Sequence, residues 1–439
     1  MSRDRRLVLA ACYLTMLLIG DNSTAVMAAL PAMTSGLGLG PATAEWVVNA
    51  YLLASAVFIV LGGEAADRFG ARRSSAAGIA LFALASLVIA VAGDGIAVVG
   101  GRALQGIGAA LAVPGTLAAV SGATEDSDRG RAIGAWTGFL MLGFSIGPLV
   151  GGAVTHYAGW RVNFWLNVAL MVPAAAALFL NPDEARGRTT RTDWLGLGLL
   201  ALFMVTLIEG LRALASAGGV FAVGLLGAAA IAFVALFQVE TRKSDPLVDF
   251  GLLQVWNFAL ACGLAFLFMF DIMAFLLYFN LFAQSSAGLG RTPIEAGLLL
   301  MPLSAALFGF ARAAPWLASK VGMRRMLVGG SLLLGLGCAL AWAALTVEGF
   351  AVLLLGLSVV GAGIALPYAS APKIGLEALS PAETGKGSGL LNSCSFLGGT
   401  LGVTAGGIAF GIARFEGVLL LVGLSALLSA GVSSRITDP

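Results

Sequence analysis

A handful of charged side chains fall inside otherwise apolar stretches of this sequence. Asp21 sits in LTMLLIGDNSTAVMAALP (14–31), and Arg102 precedes Gln105 by one helical turn. Glu209 and Arg212 form an i, i+3 pair, Asp271 shares a helical face with Phe275 and Tyr278, and Arg312 lies in a later apolar run. A charge at the centre of a bilayer costs at least ~2.5–3.5 kcal/mol, so each of these needs a reason. Nucleophilic and metal chemistry do not supply one. The lone histidine, His156, stands beside Tyr157 in a short loop. The one Gly-x-Ser-x-Gly spacing, Gly143-Phe-Ser-Ile-Gly147, lies inside a long apolar run and makes no strand-to-helix elbow, and no phosphate loop or metal-ligand spacing occurs. An enzyme is therefore not expected. What the charges can do is hold and release an ion, or pair with one another.

The elements that must position them are membrane helices. Of 439 residues, 59% are hydrophobic and only 11% are charged, and the mean hydropathy is +0.95. A soluble domain cannot hide that much apolar surface. The net charge of +2 gives no case for nucleic acid. Cys12, Cys262, Cys338 and Cys394 lie in separate apolar runs and read as small core residues. The basic start, Arg3, Arg5 and Arg6, leads into a run too long for a signal peptide and is read as a first permanent span. A span needs ~20 mostly apolar residues. Such runs fall at 7–31, 43–64, 74–93, 96–119, 131–155, 161–180, 194–213, 219–238, 256–283, 294–316, 325–345, 349–371, 387–411 and 415–434, which makes fourteen helices. With the N-terminus in the cytoplasm, nineteen Lys and Arg residues fall in inside loops. Only Arg161, Arg212, Arg291 and Arg414 fall outside, and Arg102 and Arg312 lie within spans. This asymmetry satisfies the positive-inside rule and puts both termini in the cytoplasm.

Short motifs recur in order along these helices. The loop after the second reads Gly63-Glu-Ala-Ala-Asp67-Arg68-Phe-Gly70-Ala-Arg72-Arg73. Gly70 suits a tight turn between helices, and Asp67 can accept from exposed backbone N–H groups or pair with an arginine. The fourth helix carries Arg102-Ala-Leu-Gln105-Gly-Ile-Gly108, and the fifth carries Gly143-Phe-Ser-Ile-Gly147-Pro148-Leu-Val-Gly151-Gly152. Then come Trp160-Arg161-Val-Asn163-Phe164 with Asn167, Gln284 to Pro302, and Gly387-Ser-Gly-Leu-Leu-Asn392. Together they resemble the major facilitator superfamily, and within it the drug:proton antiporters with fourteen transmembrane helices. The resemblance spans nearly the whole chain. Three positions depart from the family pattern. Thr24 and Pro31 keep the frame of the first helix, which puts Asn22 where the family acid stands and Asp21 one residue earlier, ~100° round the helix. Asn49 stands on the second helix where some members carry an acid. In the later copy of the loop motif, Lys320 replaces an acid.

The resemblance implies an all-α polytopic membrane protein. Residues 1–181 form a six-helix bundle, 182–247 a linker with two extra helices, and 248–439 a second six-helix bundle. The bundles are built from inverted repeats that rock around a cavity near the bilayer midplane. Glycines on helix 5 and at Gly398, Gly402 and Gly406 on helix 13 let helices approach closely where lipid supplies no hydrophobic drive. Gly63, Asp67, Arg68, Gly70, Arg72 and Arg73 form the conformational gating loop. The implied activity is proton-coupled efflux of amphipathic small molecules, cationic ones included. The alternative on the same fold is export of a dedicated metabolite, lipid or self-made antibiotic. An acid desolvated in one state and wet or paired in the other exchanges a proton during the cycle. Asp21, Arg102 and Asp271 are the coupling set, and Asn22, Asn49, Gln105, Tyr278, Asn280, Gln284 and Asn392 the hydrogen-bonding groups of the cavity. Glu209–Arg212 reads as a structural interfacial pair, and Arg312 as a side chain snorkelling to the inner interface. No cofactor is implied beyond the coupling proton. The expected partners are a small-molecule substrate and the lipid bilayer, and the expected form is a monomer in the cytoplasmic membrane.

Overall fold

Long apolar runs with few polar breaks leave the backbone no partner in lipid except itself, so the chain folds as helices. The computed structural model describes residues 3–181, 193–215, 219–243, 246–347, 349–380 and 383–437. Among them it contains α1 Arg3–Leu37, α2 Pro41–Phe69, α3 Ala71–Ala90, α4 Gly95–Ala123, α5 Asp126–Ala158, α6 Trp160–Phe179, α7 Trp194–Ala215 and α8 Gly219–Glu240. After a short 3₁₀ turn at Phe250–Gln254 come α9 Trp256–Gln284, α10 Pro293–Leu299, α11 Met301–Val321, α12 Met323–Thr346, α13 Phe350–Glu377 and α14 Thr384–Ser433. There are no strands among the described residues. The expected basic loop with Arg186, Arg188 and Arg191 lies outside the described residues.

Twelve of these helices are long and apolar enough to cross a membrane. The expected tenth span is a broken one, with α10 and α11 meeting at a bend of 41°. Pro302, at the first turn of α11, cannot donate and crowds the preceding turn, which accounts for the break. The two expected spans after residue 387 are joined in α14. Its 50 residues are more than twice what a bilayer core requires. Ala413 (φ −138°, ψ 30°) and Arg414 (φ 51°, ψ −142°) interrupt it, so α14 supplies two spans around one sharp joint. With α10–α11 taken as one span and α14 as two, the described helices allow the fourteen expected crossings. His156, expected in a loop, falls instead in the last turn of α5 and is exposed.

The helices gather into two compact units. One comprises Met1–Thr192 with Ala283–Leu298, the other Asp193–Phe282 with Leu299–Pro439. In the first, glycines set the contacts. A Cβ at Gly143 would lie 2.7 Å from Asp21 N, and one at Gly151 would lie 2.6 Å from Ala25 Cα, so α5 packs on α1 backbone to backbone. Gly78 and Gly108 do the same between α3 and α4. The segment 283–298 joins this unit through Gln284 Nε2, which donates to Ala28 O at 2.9 Å, and through Gly297, which faces the Pro148 carbonyl. Arg161 Nη2 donates to Ala92 O at 2.9 Å, tying α6 to the end of α3.

The second unit repeats the pattern. Gly398 and Gly402 of α14 meet the backbone of α9 at Phe266 and Phe270, and Gly337 of α12 meets Gly356 and Val360 of α13. Leu260, Leu264, Ala314, Met326, Leu327, Leu366 and Ile374 form a buried apolar cluster between them. The chain's end is pinned to the start of α9, with Asn257 Nδ2 donating to Thr437 O at 3.2 Å. All four cysteines are free. Cys262 and Cys394, 132 positions apart in sequence, meet across α9 and α14.

The extra helices α7 and α8 form a hairpin closed by a polar latch. Asp193 Oδ1 caps α7 by accepting from Gly196 N at 2.9 Å. Lys243 Nζ donates to Asp193 and to Glu240 Oε1 at 2.7 Å. The other Glu240 oxygen accepts from Val248 N at 3.0 Å. Partial burial raises the Asp193 carboxyl, but hydrogen bonds from Lys243 and Gly196 N outweigh it and hold it below its ordinary value. Desolvation lowers the Lys243 ammonium, but its two carboxylates more than offset that and raise it. Glu209 and Arg212 pair at 2.8 Å on α7.

Candidate functional site

The densest polar cluster inside the first unit is built on Arg102 of α4. Its side chain is completely buried. Three neutral oxygens hold it. Nη1 donates to Asn22 Oδ1 at 2.6 Å and to Gln105 Oε1 at 2.8 Å, and Nε donates to Val47 O at 2.8 Å. The guanidinium lies over the Tyr51 ring, 4.4 Å from its centroid. Gln105 is oriented in turn by donating to Ser86 Oγ at 2.7 Å. Ser23 Oγ reaches Tyr51 OH at 3.4 Å. Four helices therefore converge, α1 through Asn22 and Ser23, α2 through Val47 and Tyr51, α3 through Ser86, and α4 through Arg102 and Gln105. Hydrogen bonds to a charged group are worth about 1.5–3 kcal/mol each, enough to offset the insertion cost of one arginine.

The one-residue offset in the first helix decides who meets this arginine. Asn22, 2% exposed, takes the acid's place. Asp21, turned ~100° away, faces α5, where its backbone lies against Gly143 and Gly147. Its Oδ1 is buried and accepts no hydrogen bond. Asp21, placed with Arg102 in the expected coupling set, is not among the partners of that arginine. Asn49 of α2 is buried in the same unit.

The other expected positions fall elsewhere. Asp271 of α9, 1% exposed, is in the second unit beside Ser425 of α14 and Cys338 of α12. Neither its Oδ1 nor Ser425 Oγ has a hydrogen-bond partner. Tyr278 OH donates to Val403 O at 2.8 Å, so it ties α9 to α14. Asn280 Nδ2 and Asn392 Nδ2 each donate, at 2.8 Å, to the carbonyl four residues back on their own helices. In the loop motif, Gly70 adopts φ 94° between α2 and α3, Arg72 Nη1 donates to Asn181 O at 3.1 Å, and Asp67 is half-buried. Arg68 lies over Phe69, Arg73 is exposed, and a Cβ at Gly63 would meet open space. Gly152 faces Pro293, and Pro148 faces Gly297. Arg312 is exposed. Sequence reasoning missed Tyr51, Ser86 and the Val47 carbonyl, for which no motif gives a signal. It also missed the Asp193–Lys243–Glu240 latch, whose members are 50 positions apart.

The family model of the Major Facilitator Superfamily matches residues 12–403. The chain belongs to that superfamily. Its long apolar helices make it a multi-pass membrane protein. It is 31% identical over 329 residues to the Tetracenomycin C resistance and export protein of Streptomyces glaucescens, covering 74% of this chain and 61% of that protein. It is 30% identical over 344 residues to the Multidrug resistance protein Stp of Mycobacterium tuberculosis (strain CDC 1551 / Oshkosh), covering 77% and 63%. The chain thus spans about three-fifths of the length of these relatives. A crystal structure of a D-xylose-proton symporter superposes with a TM-score of 0.72 at 16% identity, over 98% of both chains. That likeness bears on the fold alone.

Proposed function

We propose that this superfamily member exports amphipathic small molecules across the cytoplasmic membrane, coupled to protons, by alternating access. The observation that carries the reading is the polar cluster around Arg102, assembled by four helices in the interior of a bundle where nothing but function requires a charge. The names of these relatives, which include resistance and export, support the outward direction. Asp21 and Asp271 are the acids proposed to take up and release the coupling proton, since each presents a buried oxygen without a hydrogen bond. The protein is proposed to act as a monomer, with no cofactor. A second reading, export of one dedicated metabolite, lipid or self-made antibiotic, is favoured by the pairing of Arg102 with a neutral asparagine rather than an acid.

The test is flux in proteoliposomes with a pH gradient of either sign, using a panel of amphipathic dyes, for wild type and Asp21→Asn. Dye movement against the proton flux in wild type, lost in a folded Asp21→Asn protein, is the expected outcome. Normal gradient-driven transport by the variant removes Asp21 from the mechanism. No gradient-driven flux of any dye in folded wild type overturns the drug-type cargo.

A further inference from the structure

Arg102 carries a full charge that none of its neighbours cancels. Asn22, Gln105 and the Val47 carbonyl are neutral acceptors, and the Tyr51 ring offers only a quadrupole. The carboxylate adjacent in sequence, Asp21, forms no ion pair with it. Nη2, with two N–H donors, has no hydrogen-bond partner although the residue is entirely buried. Neutral dipoles can orient a guanidinium, but an unpaired buried charge remains costly until an anion arrives. The three oxygens occupy Nε and Nη1 only. The unused donors are therefore the two N–H groups of Nη2, which can donate to the oxygen of an anion.

We infer that Arg102 is a recognition point for an anionic oxygen group on the cargo, a carboxylate, phenolate or sulfonate, which Nη2 binds when the transport cycle opens the site. This takes the protein as an exporter, as proposed above, and makes its preferred cargo an anionic amphiphile. Asn22 is then a specificity residue. It holds Nη1 from the side without neutralising it, where an aspartate would supply an internal counter-ion and exclude the anionic cargo. Gln105 does the same from α4, and Ser86 fixes which way its amide points.

The experiment is equilibrium binding to the full-length protein in lipid nanodiscs, in gluconate buffer near neutral pH. The probes are a matched set: 1-naphthaleneacetate, its methyl ester, and (1-naphthylmethyl)trimethylammonium. Wild type is expected to bind the carboxylate at least tenfold tighter than the ester, and the cation weakest. Asn22→Asp and, separately, Gln105→Glu each place a carboxylate against Nη1 and are expected to abolish the preference while still binding the ester. Equal binding of all three probes by wild type, or preference for the cation, overturns the inference whether or not the variants fold. A preference retained in a folded Asn22→Asp or Gln105→Glu protein overturns it as well. Loss of the preference when chloride replaces gluconate assigns the guanidinium to a small inorganic ion and overturns the cargo reading. Binding is measured without a gradient, so the two proposals fail separately. Charge preference without flux sinks export, and flux without charge preference sinks only the role of Arg102.

Discussion

At the scale of single residues, position around a helix outweighs chemical type. Asp21 and Asn22 are neighbours in sequence, yet one faces the glycines of α5 and the other binds Arg102 at 2.6 Å. The motif frame set by Thr24 and Pro31 already pointed to Asn22. Whether an acid one step away could still reach the arginine depended on packing, and it does not. The latch on the extra hairpin shows the same dependence. Glu240 has a fully buried side chain with Lys243 as its cation, so Lys243→Met strands a buried carboxylate. The expected cost is ~3 kcal/mol, read as a lower midpoint of thermal unfolding in detergent. The pH dependence follows from the shifts. Asp193 is held below its ordinary value, so its contribution is complete above about pH 4 and fades as pH falls through the depressed value. Lys243 is raised, so its contribution is complete below about pH 10 and fades as pH rises through the raised value. Unfolding midpoints of wild type and Lys243→Met are expected to converge at both extremes. A constant gap across that range contradicts the assignment.

At the scale of elements, glycine spacing was legible in the sequence, and its partners were not. Helix 5 was expected to pack through Gly143, Gly147, Gly151 and Gly152; the first three meet α1, and Gly152 meets Pro293 instead. Gly147→Leu would push a side chain into Thr24 and the Asp21 carbonyl. The backbone cannot yield there without separating two helices, so gradient-driven transport is expected to be lost while the protein still inserts. Unchanged flux in a well-folded Gly147→Leu protein shows that this face is not a working interface. The joints between helices carry a second repeat. Gly70, Gly159 and Gly322 stand at φ 94°, 87° and 87° where α2 meets α3, α5 meets α6 and α11 meets α12. The fourth equivalent joint, within α14, is Arg414 at φ 51°. A side chain in that region costs of order 1–3 kcal/mol. Arg414→Gly is therefore expected to raise the unfolding midpoint by an amount worth roughly 1 kcal/mol, with transport retained. A lower midpoint indicates that contacts of the arginine outweigh its strain.

At the scale of the whole molecule, fourteen crossings would make an even number and put the two termini on one side of the membrane. The Lys and Arg asymmetry predicts that this side is the cytoplasm. Reporter fusions check it: a green fluorescent protein at the C-terminus is expected to fluoresce, and alkaline phosphatase at the same place to be inactive. Active phosphatase inverts the topology. The count itself came from hydropathy, although two crossings are hidden from any test by helix. One is broken at Leu300 ahead of Pro302, and one is fused into α14 across Arg414. Apolar runs report how much chain lipid will accept, and they are blind to whether a helix bends or continues between crossings.

The sequence by itself determined the solvent, the number of crossings, the superfamily and the glycines that would lie between helices. Those properties are local, since ~20 apolar residues or a short motif express them wherever the chain goes. Tertiary structure alone decided that Arg102 gathers Asn22, Val47, Tyr51 and Gln105 and leaves Asp21 aside. It alone closed the α7–α8 hairpin with Lys243, and brought Cys262 to Cys394. Each of these joins residues far apart in sequence through the rotation and depth of packed helices. A helix turned by one residue, ~100°, would give every one of them a different neighbour.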